Sequence, residues 1–312
     1  MPAFATHYLF LEELKPQIEN EMDFSLDYKV AGVGTQGPDI FIFHRLWPPV
    51  GIYKALFGVA SKLHRGKPAE LFEAFAEYLK ISKNPHIARS YIYGFILHYA
   101  LDRNCHPFVY AYQDMITETN KHIHPLAAHN RVEHAVDTYL LNKRKGIYPP
   151  SLFNPEDTFT TNDIELDEIA SLMKFAVKKC FDKDIEFSEA RRAVTDTANI
   201  QKMLSDKKGR AVKIAKAVET PLGPVIRYFK PSASIKPENL IMCDRYANKW
   251  HHEWVSPYSK KASTESFEDL FEKSKPEAIE LIKGFEQIVK GEKTGYEVTK
   301  NISFLTGLEV TE

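Results

Sequence analysis

Apolar residues recur at helical spacing along most of the chain. Hydrophobic positions repeat every three or four residues in the segments 68–82, 87–103, 127–142, 166–181, 188–204 and 266–290, a pattern typical of amphipathic α-helices. No segment shows a convincing alternation of the kind that predicts a strand. The stretch 30–44 has three glycines and a proline before a short apolar run, which favours a buried loop or a helix start. The sequence therefore predicts an all-α protein.

A polar, proline-bearing stretch divides the chain near its middle. Residues 148–163 predict either a domain boundary or a surface loop. We expect a single multi-helical domain over residues 1–312, since the helical pattern continues on both sides. Most of the histidines precede this stretch, so the chemistry is expected within residues 1–140. Residues 160–312 are expected to form a helical scaffold and part of a substrate wall.

Composition and charge argue against several classes of protein. The chain has 312 residues, of which 44% are hydrophobic, and a formal net charge of −1. This charge gives no strong nucleic-acid signal, because a global basic field is absent. Three cysteines far apart in sequence argue against a disulfide framework. The first residues lack a secretory signal pattern, and no apolar run suggests a transmembrane segment, so we predict a cytoplasmic protein.

One histidine–carboxylate unit lies within an apolar, aromatic segment. His98 and Asp102 are four residues apart, so a helix places them on one face. A buried Asp102 there requires a positive partner or a metal ion. His106 follows four residues later, directly before Pro107. The proline is expected to end or bend the helix near Cys105, which would aim His106 differently from His98.

A second unit repeats this spacing. His129 and Glu133 are also four residues apart, and His106 is the natural third ligand. Two imidazoles and a glutamate with an open fourth position form a common catalytic zinc arrangement. Either unit alone is more often a surface pair or a satisfied core histidine. The two together, with an additional histidine between them, indicate metal binding.

These motifs resemble those of the zinc-dependent phospholipase C family, which shares its fold with the single-strand-specific zinc nucleases. The resemblance is closest to intracellular bacterial members. It rests on PAFATHYLF, GTQGPDIF, SKLHRG, YGFILHYALDRNCHPFVY and HNRVEHAVD. It implies a helical fold and two or three zinc ions. The implied ligands are Asp39, His64, His98 and Asp102 for one ion, His106, His129 and Glu133 for a second, and Asp102, His7 and the amino-terminal residue for a third.

The chain departs from this pattern at two places, and one further carboxylate is a candidate support. It begins Met1-Pro2, so the nitrogen of Pro2 is a candidate zinc ligand if Met1 is removed. The gap between Asp39 and His64 is long, which leaves His44 as a rival ligand. Asp137 follows Glu133 by four residues and is expected either to brace a zinc-bound imidazole or to lie at the surface.

The resemblance implies a phosphodiester hydrolase of the phospholipase C type. Zinc-activated water would attack phosphorus, with Asp39 as the base. The expected substrate is a small phosphodiester or a phospholipid head group. Two alternatives stay open: a zinc-dependent nuclease or nucleotidase on the same site, and a zinc-binding scaffold protein without activity. The sequence does not predict an oligomeric state.

Overall fold

A computed structural model describes residues 4–46, 51–154, 158, 161–204 and 235–311. These residues contain eleven α-helices and almost no sheet, which confirms the all-α prediction. The helices are α1 (Phe4–Met22), α2 (Tyr28–Gly34), α3 (Phe57–Arg65), α4 (Pro68–Leu79), α5 (Pro85–Thr119), α6 (Pro125–Lys145), α7 (Asp163–Phe181), α8 (Phe187–Leu204), α9 (Leu240–Tyr246), α10 (Phe267–Lys290) and α11 (Gly295–Thr299). Three short 3₁₀ helices span Gly37–Phe41, Ile52–Lys54 and Pro150–Leu152. Two strands, β1 (Trp254–Val255) and β2 (Ala262–Ser263), pair antiparallel and were not predicted.

The predicted helical segments all correspond to helices in the structure. They fall in α4, α5, α6, α7, α8 and α10. Local signals fix several ends: Asn162 and Ser266 cap α7 and α10 in capping boxes with Glu165 and Asp269. The ambiguous stretch 30–44 includes the end of α2 and the first 3₁₀ helix, so the expectation of a loop or helix start over a strand is confirmed.

Helix α5 forms the centre of the fold. It packs against α1, α2, α6 and α10 among other elements, and its aromatic residues Tyr91, Phe95, Tyr99 and Phe108 are fully buried. Burial of each such side chain contributes roughly 1.5–3 kcal/mol. The helix is therefore a rigid support for any side chain that it carries.

The expectation that the helix could end at Pro107 is wrong. Helix α5 continues through Pro107 for three more turns, to Thr119. The proline removes one backbone hydrogen bond, but Cys105, Phe108 and Val109 beside it are completely buried. Packing on both sides of the proline outweighs this local cost, so residues before and after it keep one helical register.

Helices α2 and α5 approach each other closely enough to exclude side chains. A Cβ atom on Gly34 would lie 2.2 Å from the Tyr91 carbonyl oxygen, and one on Gly94 would lie 2.1 Å from the Ala31 carbonyl oxygen. The glycine-rich stretch thus serves backbone contact. This contact holds the 3₁₀ helix Gly37–Phe41 against the middle of α5.

In the described residues, no helix combines the length and the apolar character needed to span a bilayer. The arrangement of residues 1–312 as a single domain stays a prediction.

Candidate metal centre

Five elements bring eight predicted residues together. Helix α5 supplies three of them, α6 supplies two, and α1, α3 and the 3₁₀ helix Gly37–Phe41 supply one each. All eight are buried. They are His98, Asp102 and His106 from α5, His129 and Glu133 from α6, His7 from α1, His64 from α3, and Asp39 from the 3₁₀ helix.

Asp102 lies at the middle of the cluster. Its Oδ2 atom is 3.0 Å from Nε2 of His98 and 3.8 Å from Nε2 of His64. Its Oδ1 atom is 3.3 Å from Nε2 of His7. Nδ1 of His106 lies 3.5 Å from Oδ2. Because α5 is continuous past Pro107, His98, Asp102 and His106 lie on one face of the same helix. His106 nevertheless joins a different donor group from His98, as expected.

Three groups of donor atoms are compact enough to hold a metal ion. His7, His98 and Asp102 form the first, and the rings of His7 and His98 stack with centroids 4.3 Å apart. Asp39, His64 and His98 form the second, with His64 Nε2 3.4 Å from Asp39 Oδ1. Within each group, one donor atom per residue lies within 4.8 Å of the others. His98 belongs to both groups.

The third group consists of His106, His129 and Glu133. Nε2 of His129 is 2.9 Å from Oε1 of Glu133, and the rings of His106 and His129 lie nearly parallel with centroids 5.9 Å apart. This group joins α5 to α6.

The cluster has a closed floor and a slightly open rim. The side chains of His98, Asp102 and His106 are 0% exposed, and that of His7 is 1% exposed. Asp39 and His129 are more open, at 10% and 9%. A ligand would therefore approach from the side of Asp39 and His129.

Backbone carbonyls orient three of the imidazoles. Nδ1 of His64 lies 2.8 Å from the Ala60 carbonyl, and Nδ1 of His98 lies 3.0 Å from that of Thr35. Nδ1 of His106 lies 2.7 Å from the carbonyl of Phe304. A carbonyl can only accept, so each Nδ1 carries the proton and donates it. Each Nε2 then directs its lone pair into the cluster, as in metal-ligating histidines.

The side chain of Gln113 orients a fourth imidazole, that of His129. Nδ1 of His129 lies 3.1 Å from Oε1 of Gln113. The Gln113 amide nitrogen donates to Oδ1 of Asp114 at 3.2 Å, which aims the amide oxygen at His129.

Several donor atoms of the cluster are buried without hydrogen-bond partners among the described residues. These atoms include Nε2 of His64, His98 and His106, Oδ1 of Asp39 and both carboxylate oxygens of Asp102. Unsatisfied buried polar atoms are costly and rare in folded proteins. Imidazole nitrogens and carboxylate oxygens are the donors that zinc takes. The residues therefore fit a metal ion well.

Burial shifts the pKa values of the clustered residues in both directions. It lowers the pKa of His7 and His64 to about 4, so both imidazoles keep a lone pair at neutral pH, as metal ligation requires. Burial raises the pKa of Asp39 to about 7. Burial also acts to raise the pKa of Asp102, but His106 and His98 outweigh it and hold that pKa well below its usual range.

His44, the rival to His64, lies outside the cluster. Its Nε2 atom is 3.0 Å from Oε2 of Glu189, and its Nδ1 atom accepts the Leu56 N–H. The residues near His44 in sequence did not predict the contact with Glu189, because Glu189 lies on α8. His64 is the histidine placed beside Asp39.

Asp137 supports the cluster, but by a route that was not predicted. It is completely buried, so the surface alternative is wrong. Its carboxylate accepts the backbone N–H groups of Ala5 and Thr6 at 3.1 and 2.8 Å and the Thr6 hydroxyl at 2.7 Å. It thus anchors the first turn of α1, which carries His7, rather than an imidazole. Pro2 lies outside the described residues.

Sequence reasoning missed Gln113 and the neighbouring Tyr110. They follow His106 by seven and four residues on α5, the spacing that places residues on one helix face. The signal was present, but the helix was expected to stop at Pro107.

The geometry agrees with a comparison against known families. A family model described as zinc-dependent phospholipase C matches residues 6–185, more than half of the chain. The chain belongs to the zinc-dependent phospholipase C family. The matched region contains all eight clustered residues, and the family is all-helical, as this structure is. No curated protein and no solved structure matches the chain significantly.

Proposed function

We propose that this member of the zinc-dependent phospholipase C family hydrolyses phosphodiesters with two or three zinc ions held by the eight clustered residues. One observation carries the proposal: three compact donor groups share a buried centre in which several donor atoms have no protein hydrogen-bond partner among the described residues. A purely structural cluster would be expected to satisfy these atoms internally.

Each donor group has a place in the proposal. His7, His98 and Asp102 would hold one ion, Asp39 and His64 with His98 a second, and His106, His129 and Glu133 a third. Whether Pro2 also contributes a nitrogen stays a prediction. Bound zinc would supply Lewis acidity toward the phosphate and lower the pKa of a water molecule in the site.

The residues at the rim supply positioning and proton transfer. The side chain of Asp39 is 10% exposed, the highest value among the eight clustered residues, so it would meet the incoming water and phosphate. Burial raises its pKa to about 7 while no metal is bound, and a zinc ion beside it would keep the carboxylate ionised and able to accept a proton from water. The four imidazoles hold their protons at Nδ1 on fixed acceptors, so their Nε2 atoms stay available.

The substrate class follows from the family and the charge. We propose a phospholipid head group or another small phosphodiester. The net charge of −1 gives little attraction for polymeric nucleic acid. The cytoplasmic location stays a prediction.

A hydrolysis assay with bis-p-nitrophenyl phosphate tests the proposal. The zinc-loaded protein should hydrolyse this probe, a chelator should abolish the activity, and added zinc should restore it. Asp102→Asn should lose both zinc and activity, because its carboxylate contacts three of the imidazoles. Asp167→Asn on α7 is the matched control, since Asp167 pairs with Arg191 on the surface.

Two results would contradict the proposal. Wild-type zinc content and activity in Asp102→Asn would refute the ligand assignment. Stable zinc binding without hydrolysis of any probe would favour the scaffold alternative. A panel of phosphatidylcholine vesicles, single-stranded DNA and nucleotides then separates the phospholipase from the nuclease or nucleotidase reading.

A further inference from the structure

The small hairpin in the C-terminal part of the chain carries Tyr258 at its tip. Strands β1 and β2 lead into a tight turn in which the Ser256 hydroxyl oxygen accepts the N–H groups of Tyr258 and Ser259 at 3.3 and 3.2 Å. The Lys260 N–H closes the turn on the Ser256 carbonyl at 3.1 Å. The turn therefore fixes the backbone position of Tyr258.

The hairpin is anchored on the helix that carries the metal ligands. The Trp254 ring packs against Phe108 of α5 with centroids 5.3 Å apart, and its indole N–H donates to the Glu265 carbonyl at 2.9 Å. Phe108 lies two residues beyond His106. The position of the hairpin is thus set relative to the third donor group.

An aromatic wall connects this hairpin to the imidazoles. The Tyr110 ring lies 4.8 Å from that of His129 and 5.8 Å from that of His106. Tyr258 meets Tyr110 edge to face, with ring centroids 5.4 Å apart. Both tyrosines are partly exposed. The wall runs from the rim of the cluster to the surface.

One cation follows a residue of the cluster directly in sequence. Arg65 ends α3 immediately after His64 and is exposed. It has no ion pair with any residue in the part of the chain described. Arg65 is therefore available to an anion that reaches the rim.

We propose that Tyr110, Tyr258 and Arg65 form a substrate subsite, in which the two rings contact the organic group esterified to the phosphate and Arg65 contacts a phosphate oxygen. This inference rests on the proposed function. The planes of the two rings meet at 82°, and such a corner of aromatic rings suits a flat, aromatic alcohol better than a small alkyl one. Tyr258 would then be a specificity-determining residue supplied by a part of the chain outside the family match.

Two probes with the same leaving group separate this role from a structural one. Bis-p-nitrophenyl phosphate and methyl p-nitrophenyl phosphate differ only in the group that stays on phosphorus. In Tyr258→Ala, kcat/KM for the diaryl probe should fall roughly three- to tenfold more than for the methyl probe, the range of one aromatic contact. Tyr258→Phe keeps the ring and should keep the wild-type preference. Zinc content should be unchanged in both variants.

A control variant and a binding measurement complete the experiment. Tyr296→Ala removes a half-exposed tyrosine of α11 whose hydroxyl donates to Glu309, and it should leave the preference unchanged. An equal loss for both probes in Tyr258→Ala overturns the subsite. If the zinc-loaded wild type hydrolyses neither probe, the proposed function fails separately. The subsite is then tested by calorimetry, where tighter binding of phenyl phosphonate than methyl phosphonate must disappear in Tyr258→Ala.

Discussion

Substitution of Gly37 by alanine tests the geometry of the metal centre, because a side chain at this position would overlap a clustered imidazole. Gly37 begins the 3₁₀ helix that carries Asp39, and its φ is +52°. A Cβ atom there would lie 2.4 Å from Cδ2 and 2.8 Å from Nε2 of His98. Contacts between carbon atoms are favourable near roughly 3.5–4.0 Å, so Gly37→Ala must displace His98 or the 3₁₀ helix by about an ångström.

The expected cost of Gly37→Ala has two parts. The left-handed backbone conformation costs about 1–2 kcal/mol for a residue with a side chain. The overlap with the imidazole adds about 1–3 kcal/mol, as for an overpacked core. Because His98 belongs to two of the three donor groups, zinc content should fall as well.

Gly146→Ala is the matched control. Gly146 ends α6 with a φ of +64°, and a Cβ atom there would contact nothing within 4 Å. Both glycines have a positive φ, so the difference between the unfolding free energies of the two variants, measured in urea with a chelator present, reports the overlap with His98. Elemental analysis after zinc loading then measures how far the overlap lowers zinc content. Equal unfolding free energies and full zinc content in both variants would refute the geometry of the centre described above.

Three further predictions test the support of the cluster. Gln113→Ala removes the acceptor that orients His129 and should weaken zinc binding by about 10- to 100-fold, measured by competition with a chromophoric chelator; wild-type affinity would show that this contact does not position the imidazole. Asp137→Ala leaves the first turn of α1 without its buried acceptor and Lys236 without the carboxylate 3.3 Å from its Nζ, and it should lower the unfolding free energy by about 3–5 kcal/mol. An unchanged urea midpoint would contradict this. The metal-free protein should lose stability as pH falls from about 6.5 towards about 4, because the unfolded chain protonates His7 and His64 near their usual pKa and the folded chain only near 4. The raised pKa values of Asp39 and His98 oppose this. The lowered pKa values of His106 and His129 act in the same direction as those of His7 and His64, and together these four outweigh the opposing two, so a higher urea midpoint at pH 5 than at pH 7 would show the sign to be wrong.

Local sequence patterns predict the helices and four of the eight clustered residues. The four-residue spacing of His98 with Asp102 and of His129 with Glu133 depends only on helix geometry, and the structure places both pairs within contact distance. The capping box at Ser266 similarly marks the start of α10. These features require no knowledge of the tertiary fold.

Long-range contacts account for what sequence reasoning missed. The continuation of α5 past Pro107 depends on packing that local preference cannot anticipate. The choice of His64 over His44 depends on Glu189, which lies more than a hundred residues away in sequence. Asp137 binds the start of α1 across 132 positions, so its partner was equally hidden.

The contact of His106 with Phe304 has a consequence for the order of assembly. These residues are separated by 198 positions, and the Phe304 carbonyl accepts from His106 at 2.7 Å. During synthesis, every clustered ligand leaves the ribosome long before Phe304 does. His106 therefore cannot take its final orientation on the nascent chain. Folding of this centre is governed by contacts of high sequence separation, which form slowly, and zinc would be captured in its final geometry only after translation has passed residue 304.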